Sequence, residues 1–179
     1  MISQVPKRFW GRGTSRGFSL IELLIVVAII LIIAAIAIPN FLRAKIAANE
    51  SSAANSVRKI ATAQVAYNAA FPTIGYAPAL ANLGGPVAGC VPSSATACIV
   101  DFVLASGNKS GYQFLSIGFA QGGAINNAFV ASSAPQAYDV SGDRNFCVIT
   151  DGVLRFNPGI PGGVPAPDVP TCQTYLTLQ

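Results

Sequence analysis

Residues 18–38 read FSLIELLIVVAIILIIAAIAI and hold a single charge, Glu22. As a helix, at ~1.5 Å per residue, this run spans roughly 31 Å, about the hydrocarbon thickness of a bilayer. A chain that carries it has to bury it in lipid or against other apolar helices. Four cations precede it, Lys7, Arg8, Arg12 and Arg16, with no acid among them. The positive-inside rule holds these in the cytoplasm and sends everything after the run across the membrane.

The charge balance follows from the same division. The whole chain is formally +4, yet from Phe18 onward seven bases face seven acids. The excess therefore belongs to the N-terminal segment, and the remainder is neutral. No basic cluster is left to bind nucleic acid, so no direct nucleic-acid site is expected. Histidine is absent, which excludes histidine-based catalytic triads and metal sites. The expectation is a protein without enzymatic activity and without a cofactor. All four cysteines, Cys90, Cys98, Cys147 and Cys172, follow the apolar run. They share one side of the membrane, and their even number on a translocated domain favours disulfides.

Three readings of the N-terminus compete. A secretory signal peptide is supported by the basic start and by Ala35-Ile36-Ala37, an A-x-A match. However, its apolar core is usually ~7–15 residues and lacks an acid. An uncleaved single-pass anchor is the second. The third rests on Gly17-Phe18-Ser19-Leu20-Ile21-Glu22. With the basic leader before it and the unbroken apolar helix after it, this junction resembles the class III signal of type IV pilins and of type II secretion pseudopilins. The resemblance is strong over residues 8–45 and weaker, through the order of helix, loop and sheet, beyond them. The leader is longer than in many type IVa pilins, while a terminal phenylalanine fits IVa better than IVb.

The resemblance implies a precursor cut between Gly17 and Phe18 by a prepilin peptidase that also N-methylates Phe18. The apolar helix then stays on the mature chain. It would lie in the inner-membrane bilayer, meet an assembly platform there, and polymerise with copies of itself into a cell-surface pilus or a periplasmic pseudopilus. Glu22 fits this scheme. A carboxylate at bilayer depth costs ~2.5–3.5 kcal/mol on insertion scales, so an intramembrane acid is first a functional residue. The simpler reading places it near the interface, favouring the positive end of the helix dipole. The resemblance pairs it instead with the amino terminus of Phe18 on a neighbouring subunit, setting axial register.

The expected organisation is a cleaved leader (1–17), a transmembrane or filament-core helix (18–38), an amphipathic helix continuing into the head (39–71) and a globular head (72–179). Pro39 removes one hydrogen bond and bends or interrupts the helix, which resumes at once. In the family a proline at this point marks a kink, or a stretch that melts in the filament. Apolar residues then recur at helical spacing: Leu42, Ile46, Ala53, Val57, Ile60, Ala61, Tyr67 and Phe71. Glu50 is read as part of the opposite polar face, with Arg43, Lys45, Asn49, Arg58 and Lys59. Pro72 closes the segment. Residues 72–111 read as a loop with one short turn.

Strand signals begin at Tyr112–Phe119 and continue through Ala128–Ser132, Asn145–Thr150 and Val153–Phe156, with Asp151-Gly152 as a hairpin turn. The fold class is α+β: a long helix on an antiparallel meander of three or four strands. The proline-rich tail from Asn157 is read as irregular. Cys90 and Cys98, with seven residues between them, suit a local disulfide loop. Pairing Cys147 with Cys172 would close a C-terminal loop like the cysteine-bounded region of many pilins. Four cysteines allow three connectivities; Cys90–Cys98 with Cys147–Cys172 is the pairing favoured.

Asp139 and Asp143 flank a turn that resembles a minimal calcium loop, since hard cations take carboxylate and carbonyl oxygens and major pseudopilins hold calcium in the head. The turn fits no full loop signature. Two alternatives to a pilus subunit stay open, a type II secretion pseudopilin and a secreted or membrane-anchored binding module.

Overall fold

The computed structural model describes residues 17–178. The leader, with its four cations, lies outside the described residues except for Gly17. The chain divides into two compact units at Asn40/Phe41. The first unit consists, among its described residues, of Gly17–Ser19 and the N-terminal part of helix α1 (Leu20–Ala70). The second holds the rest of α1 and the head.

Helix α1 runs through Pro39 without interruption, so the proline breaks no secondary structure. Proline has no N–H, which leaves the Ala35 carbonyl without its intrahelical donor. The stripe that packs on the head is Ala53, Val57, Ile60, Ala63, Gln64 and Tyr67, all buried. Steps of four, three and one repeat the helical period. Leu42, 53% exposed, is outside this core, although the periodicity includes it. The stripe begins instead at Glu50.

The head is an antiparallel meander of six strands, each beside its sequence neighbour: β1 (Asn108–Lys109), β2 (Tyr112–Phe119), β3 (Ala128–Pro135), β4 (Arg144–Ile149), β5 (Arg155–Pro158) and β6 (Leu176–Thr177). The expected three or four strands are therefore joined by two edge pieces. Each has two residues, too few to show alternation. The β4–β5 connection is also longer than expected. Gly152 takes φ +73° and Asp151 Oδ1 accepts from Val153 N–H at 2.9 Å, so the chain returns to the sheet only at Arg155, not at Val153.

Three short helices occupy segments read as loop or irregular tail: α2 (Leu80–Leu83), α3 (Phe102–Ala105) and α4 (Val169–Gln173). Asp101 caps α3 through Leu104 N–H at 2.9 Å. Asp168 caps α4 through Thr171 N–H at 2.8 Å, and Pro170 stands in the first turn of α4, where its missing N–H costs nothing.

Every residue of β3 is buried, because both faces of the sheet are covered. On one face Phe129, Ala131, Phe146 and Val148 join the α1 stripe. On the other, Val130, Cys147 and Ile149 pack with Ala166, Cys172 and Tyr175 of the C-terminal segment. Ser132 Oγ reaches the Ala166 carbonyl at 2.7 Å.

Two buried polar side chains tie α1 to the head. Gln64 donates to the Ser116 hydroxyl (2.8 Å) and accepts from Ala77 N–H (2.7 Å), joining helix, connection and β2. Glu50 is only 6% exposed, not on the solvated face. Its Oε1 accepts from Asp143 N–H (3.0 Å) and its Oε2 from Arg144 Nε (2.8 Å). Removing one partner of such a set strands the others. Glu50→Ala is expected to destabilise the head by about 2–3 kcal/mol, measured by calorimetry of the full chain in detergent. Glu50→Gln, which keeps an acceptor, should lose less. Equal losses would show that the negative charge of Glu50, and not packing or an acceptor at that position, supplies the stabilisation.

Candidate assembly site

The N-terminal junction begins just outside the helix. Gly17, Phe18 and Ser19 precede the helix, and all three are exposed. Ser19 donates its backbone N–H to Glu22 Oε2 at 3.0 Å. This is half of a capping box, in which the side chain at the third helical position satisfies the N–H of the residue before the helix. Ser-x-x-Glu is a sequence signature of that cap, and it went unread beside the more conspicuous charge. The bond holds one carboxylate oxygen against the helix start.

Behind the cap the helix offers only apolar surface. The described residues include one helix long and apolar enough to cross a membrane, and none of the residues in its most apolar stretch is buried. Leu20, Ile25, Ile30, Ile33 and Ile38 are all more than half exposed. Burying about 25 cal/mol per Å² is the only large favourable term available to such a surface in water. Lipid or packed neighbouring helices are the environments that supply it.

Pairing across the head is of two kinds. Cys90 and Cys98 form one disulfide and Cys147 and Cys172 another, with Cα separations of 6.2 and 5.9 Å. The first closes the connection after α2. The second ties the C-terminal segment to β4. Beside Glu50, the turn between β3 and β4 carries Asp139 and Asp143. Burial, then the negative charges of Asp139 and Glu50, push the Asp143 carboxyl above its usual range. The Glu50 hydrogen bonds hold the Arg144 guanidinium above its ordinary value. On the far hairpin, Arg155 donates to Asp151 Oδ1 at 3.1 Å and holds that carboxyl low.

Both Glu50 oxygens already accept from the protein, and among the described residues no group of three or more carboxylate, cysteine or histidine side chains converges. The Asp143 Oδ1 is buried without a hydrogen-bond partner. A carboxyl whose folded pKa is raised favours the fold below its unfolded pKa of ~3.9 and loses that contribution as pH rises through the folded value. Asp143→Asn should therefore match the wild type near pH 4 and exceed it at pH 7, by less than about 1 kcal/mol given partial exposure. Paired thermal melts at the two pH values measure this. Added calcium that raised the melting point of the wild type alone would instead assign the turn to an ion.

The junction, the apolar helix and the head behind it can be set against known proteins. A family model described as the prokaryotic N-terminal methylation motif matches residues 12–38. The type IV major pilin protein PilA of Myxococcus xanthus (strain DK1622) is 44% identical over 78 residues, which cover 40% of this chain and 36% of that pilin. The chain thus carries the N-terminal methylation motif and is similar over part of its length to a type IV major pilin. The chain spans about a third of the relative's length. No solved structure matches.

The residues read from the sequence fall into separate places. Gly17, Phe18 and Glu22 share the N-terminal junction, Pro39 lies within the helix, and Asp139 and Asp143 are on the β3–β4 turn. The residues missed were the ones that join elements. Ser19 was signalled by the capping pattern. Glu50 and Gln64 carried no signal, because a polar residue inside an amphipathic helix reads as surface until its partners, ninety-four and fifty-two positions away, are known.

Proposed function

We propose that this chain is the precursor of a structural subunit of a type IV pilus. Prepilin peptidase cuts it between Gly17 and Phe18 and methylates the new terminus. The subunit waits in the inner membrane on residues 18–38 with its head outside, and an assembly platform there adds it to a growing filament. Removing the leader takes away Lys7, Arg8, Arg12 and Arg16, which converts a basic precursor into a neutral subunit.

The observation that carries this reading is the order of features at the junction. Gly17-Phe18 stands directly before an unburied apolar helix with its acid at the third helical position. A cut there keeps the helix, whereas a cut after Ala37 discards it. The match to a major pilin supports the pilus over the secretion pseudopilus.

The mature N-terminus is the test. Intact-mass and peptide mass spectrometry of the protein from its host are expected to find a chain that starts at N-methylated Phe18. A chain starting at Ile38, or retaining Met1, would overturn the proposal.

A further inference from the structure

The charges left after pairing within the second unit are segregated. Each head cation has a carboxylate: Lys109 with Asp101 at 3.8 Å, Arg144 with Glu50, Arg155 with Asp151. Four cations of α1, Arg43, Lys45, Arg58 and Lys59, enter no ion pair among the described residues. The acids of this unit outside those pairs are Asp139, Asp143 and Asp168, of which Asp168 is the α4 cap. Helix surface is thus left positive and the β3–β4 turn negative, and nothing within the unit brings the two together.

Each side has a shape that suits the other. Arg58 and Lys59 edge an open groove of about 680 Å³ whose walls include Thr62, Ala66, Ile99, Val100 and Asp101, the last already engaged by Leu104 N–H and Lys109. Arg58 is held only by a long contact to Asn55 Oδ1, 3.5 Å, so its guanidinium is available. The turn presents Asp139 beside Val140, which is 65% exposed. It is preformed. Asp139 adopts φ +63°, Ser141 N–H donates to the Ala137 carbonyl at 2.8 Å, Ala137 N–H donates to Ser141 Oγ at 3.1 Å, and Asn49 donates to the Ser141 carbonyl at 3.0 Å. A rigid apolar tip with one charge loses little entropy on docking.

We propose that the Asp139–Val140 turn of one subunit docks into the Arg58–Lys59 groove of a second copy of this chain. Asp139 meets the two cations, and Val140 covers Ala66 and the Ile99–Val100 wall. The two patches are different surfaces, so the contact is heterologous. Repeated without closure, a heterologous contact generates an open helical polymer and not a dimer. The inference rests on the polymerisation reading above and assigns it a head-to-head contact separate from the apolar helix.

The test uses the full chain in its host, with sheared surface filament measured relative to processed subunit in the membrane. Arg58→Glu with Lys59→Glu, and separately Asp139→Lys, are each expected to lower that ratio about tenfold, the effect of about 1.4 kcal/mol per contact. Combining all three should restore most of it, which a folding defect would not do. As a second measurement, oxidised filaments of a Thr62→Cys, Val140→Cys variant should contain cross-linked peptides joining those two positions. Normal filaments from either reversal, no recovery in the combination, or no cross-link would overturn the docking contact while leaving polymerisation standing. If the wild type forms no filament, the polymerisation reading falls and this contact with it.

Discussion

Replacing Glu22 with leucine is expected to keep the chain in the membrane and to cut recoverable filament about tenfold or more. The reason lies in two opposed costs. In lipid a carboxylate at this depth is unfavourable by up to ~2.5–3.5 kcal/mol, and so is an unpaired ammonium. A subunit that brings its Glu22 to the charged terminus of a neighbour's Phe18 offsets both at once. Leucine removes the first cost, so insertion improves, but it leaves the incoming ammonium without a partner. The effect should therefore appear in assembly and not in membrane retention.

The structure supplies a rival account, because Glu22 also accepts from Ser19 N–H. Loss of that cap would fray the helix start, at about 0.5–2 kcal/mol. Glu22→Gln separates the two. Glutamine at the third helical position serves a capping box as well as glutamate does, yet it carries no charge. If Glu22→Gln assembles normally while Glu22→Leu does not, Glu22 acts as a cap. If both lose filaments to the same degree, it acts as a charge. The second outcome is expected, measured as filament yield against membrane-bound processed subunit.

What could be read from the sequence divides along the range of the interactions involved. The apolar run, the helix to Ala70 and strand β2 depend on periodicity within one element, and their residues announce them. Glycine-bearing turns are also local, so Asp151-Gly152 was placed correctly as a turn. Its exact reach was not, since the Asp151 side chain bonds ahead to Val153 N–H and delays the next strand. The two-residue edge strands exist only because β2 and β5 already stand beside them. No pattern internal to Asn108–Lys109 or Leu176–Thr177 can show that. Helix α4 is an intermediate case. Its Asp168 cap and Pro170 are a local start signal, outweighed by the five prolines that follow Asn157.

The same distinction separates the two parts of the candidate site. The junction is contiguous in sequence, so Gly17, Phe18 and Glu22 could be named without coordinates. The Arg58–Lys59 groove and the Asp139–Val140 turn could not. Arg58 and Lys59 read as an ordinary solvated face, and Asp139 as part of an ion loop. Only after Glu50 is found to engage Arg144 does the remaining charge separate into a positive helix and a negative turn. One buried carboxylate, invisible to periodicity, thus decides what the surface has left to offer.

The C-terminal segment leads to the other large expected effect. It has little to hold it. Its contribution to the second face of the sheet is Ala166, Cys172 and Tyr175, packed on Val130, Cys147 and Ile149, and β6 adds two residues of pairing. The Cys147–Cys172 disulfide spans a sequence separation of 25. In the chain-entropy account, closing a loop of that length removes about 3.5 kcal/mol of freedom from the unfolded chain. The Cys90–Cys98 separation of 8 gives about 2.5 kcal/mol by the same relation. The larger difference is in what each releases. Without Cys147–Cys172 the segment has only a small apolar cluster to oppose the entropy of its proline-rich stretch. Its detachment would uncover Val130, Ile149, Ile117 and Phe119 on the sheet. Cys147→Ser with Cys172→Ser is therefore expected to lower the stability of the full chain in detergent by about 3 kcal/mol. It should also open residues 159–171 to proteolysis before the rest of the head. Cys90→Ser with Cys98→Ser should cost less and leave that segment protected. A Cys147/Cys172 variant that melts within about 1 kcal/mol of the wild type, with the tail still protected, would mean that sheet packing alone retains the C-terminal segment.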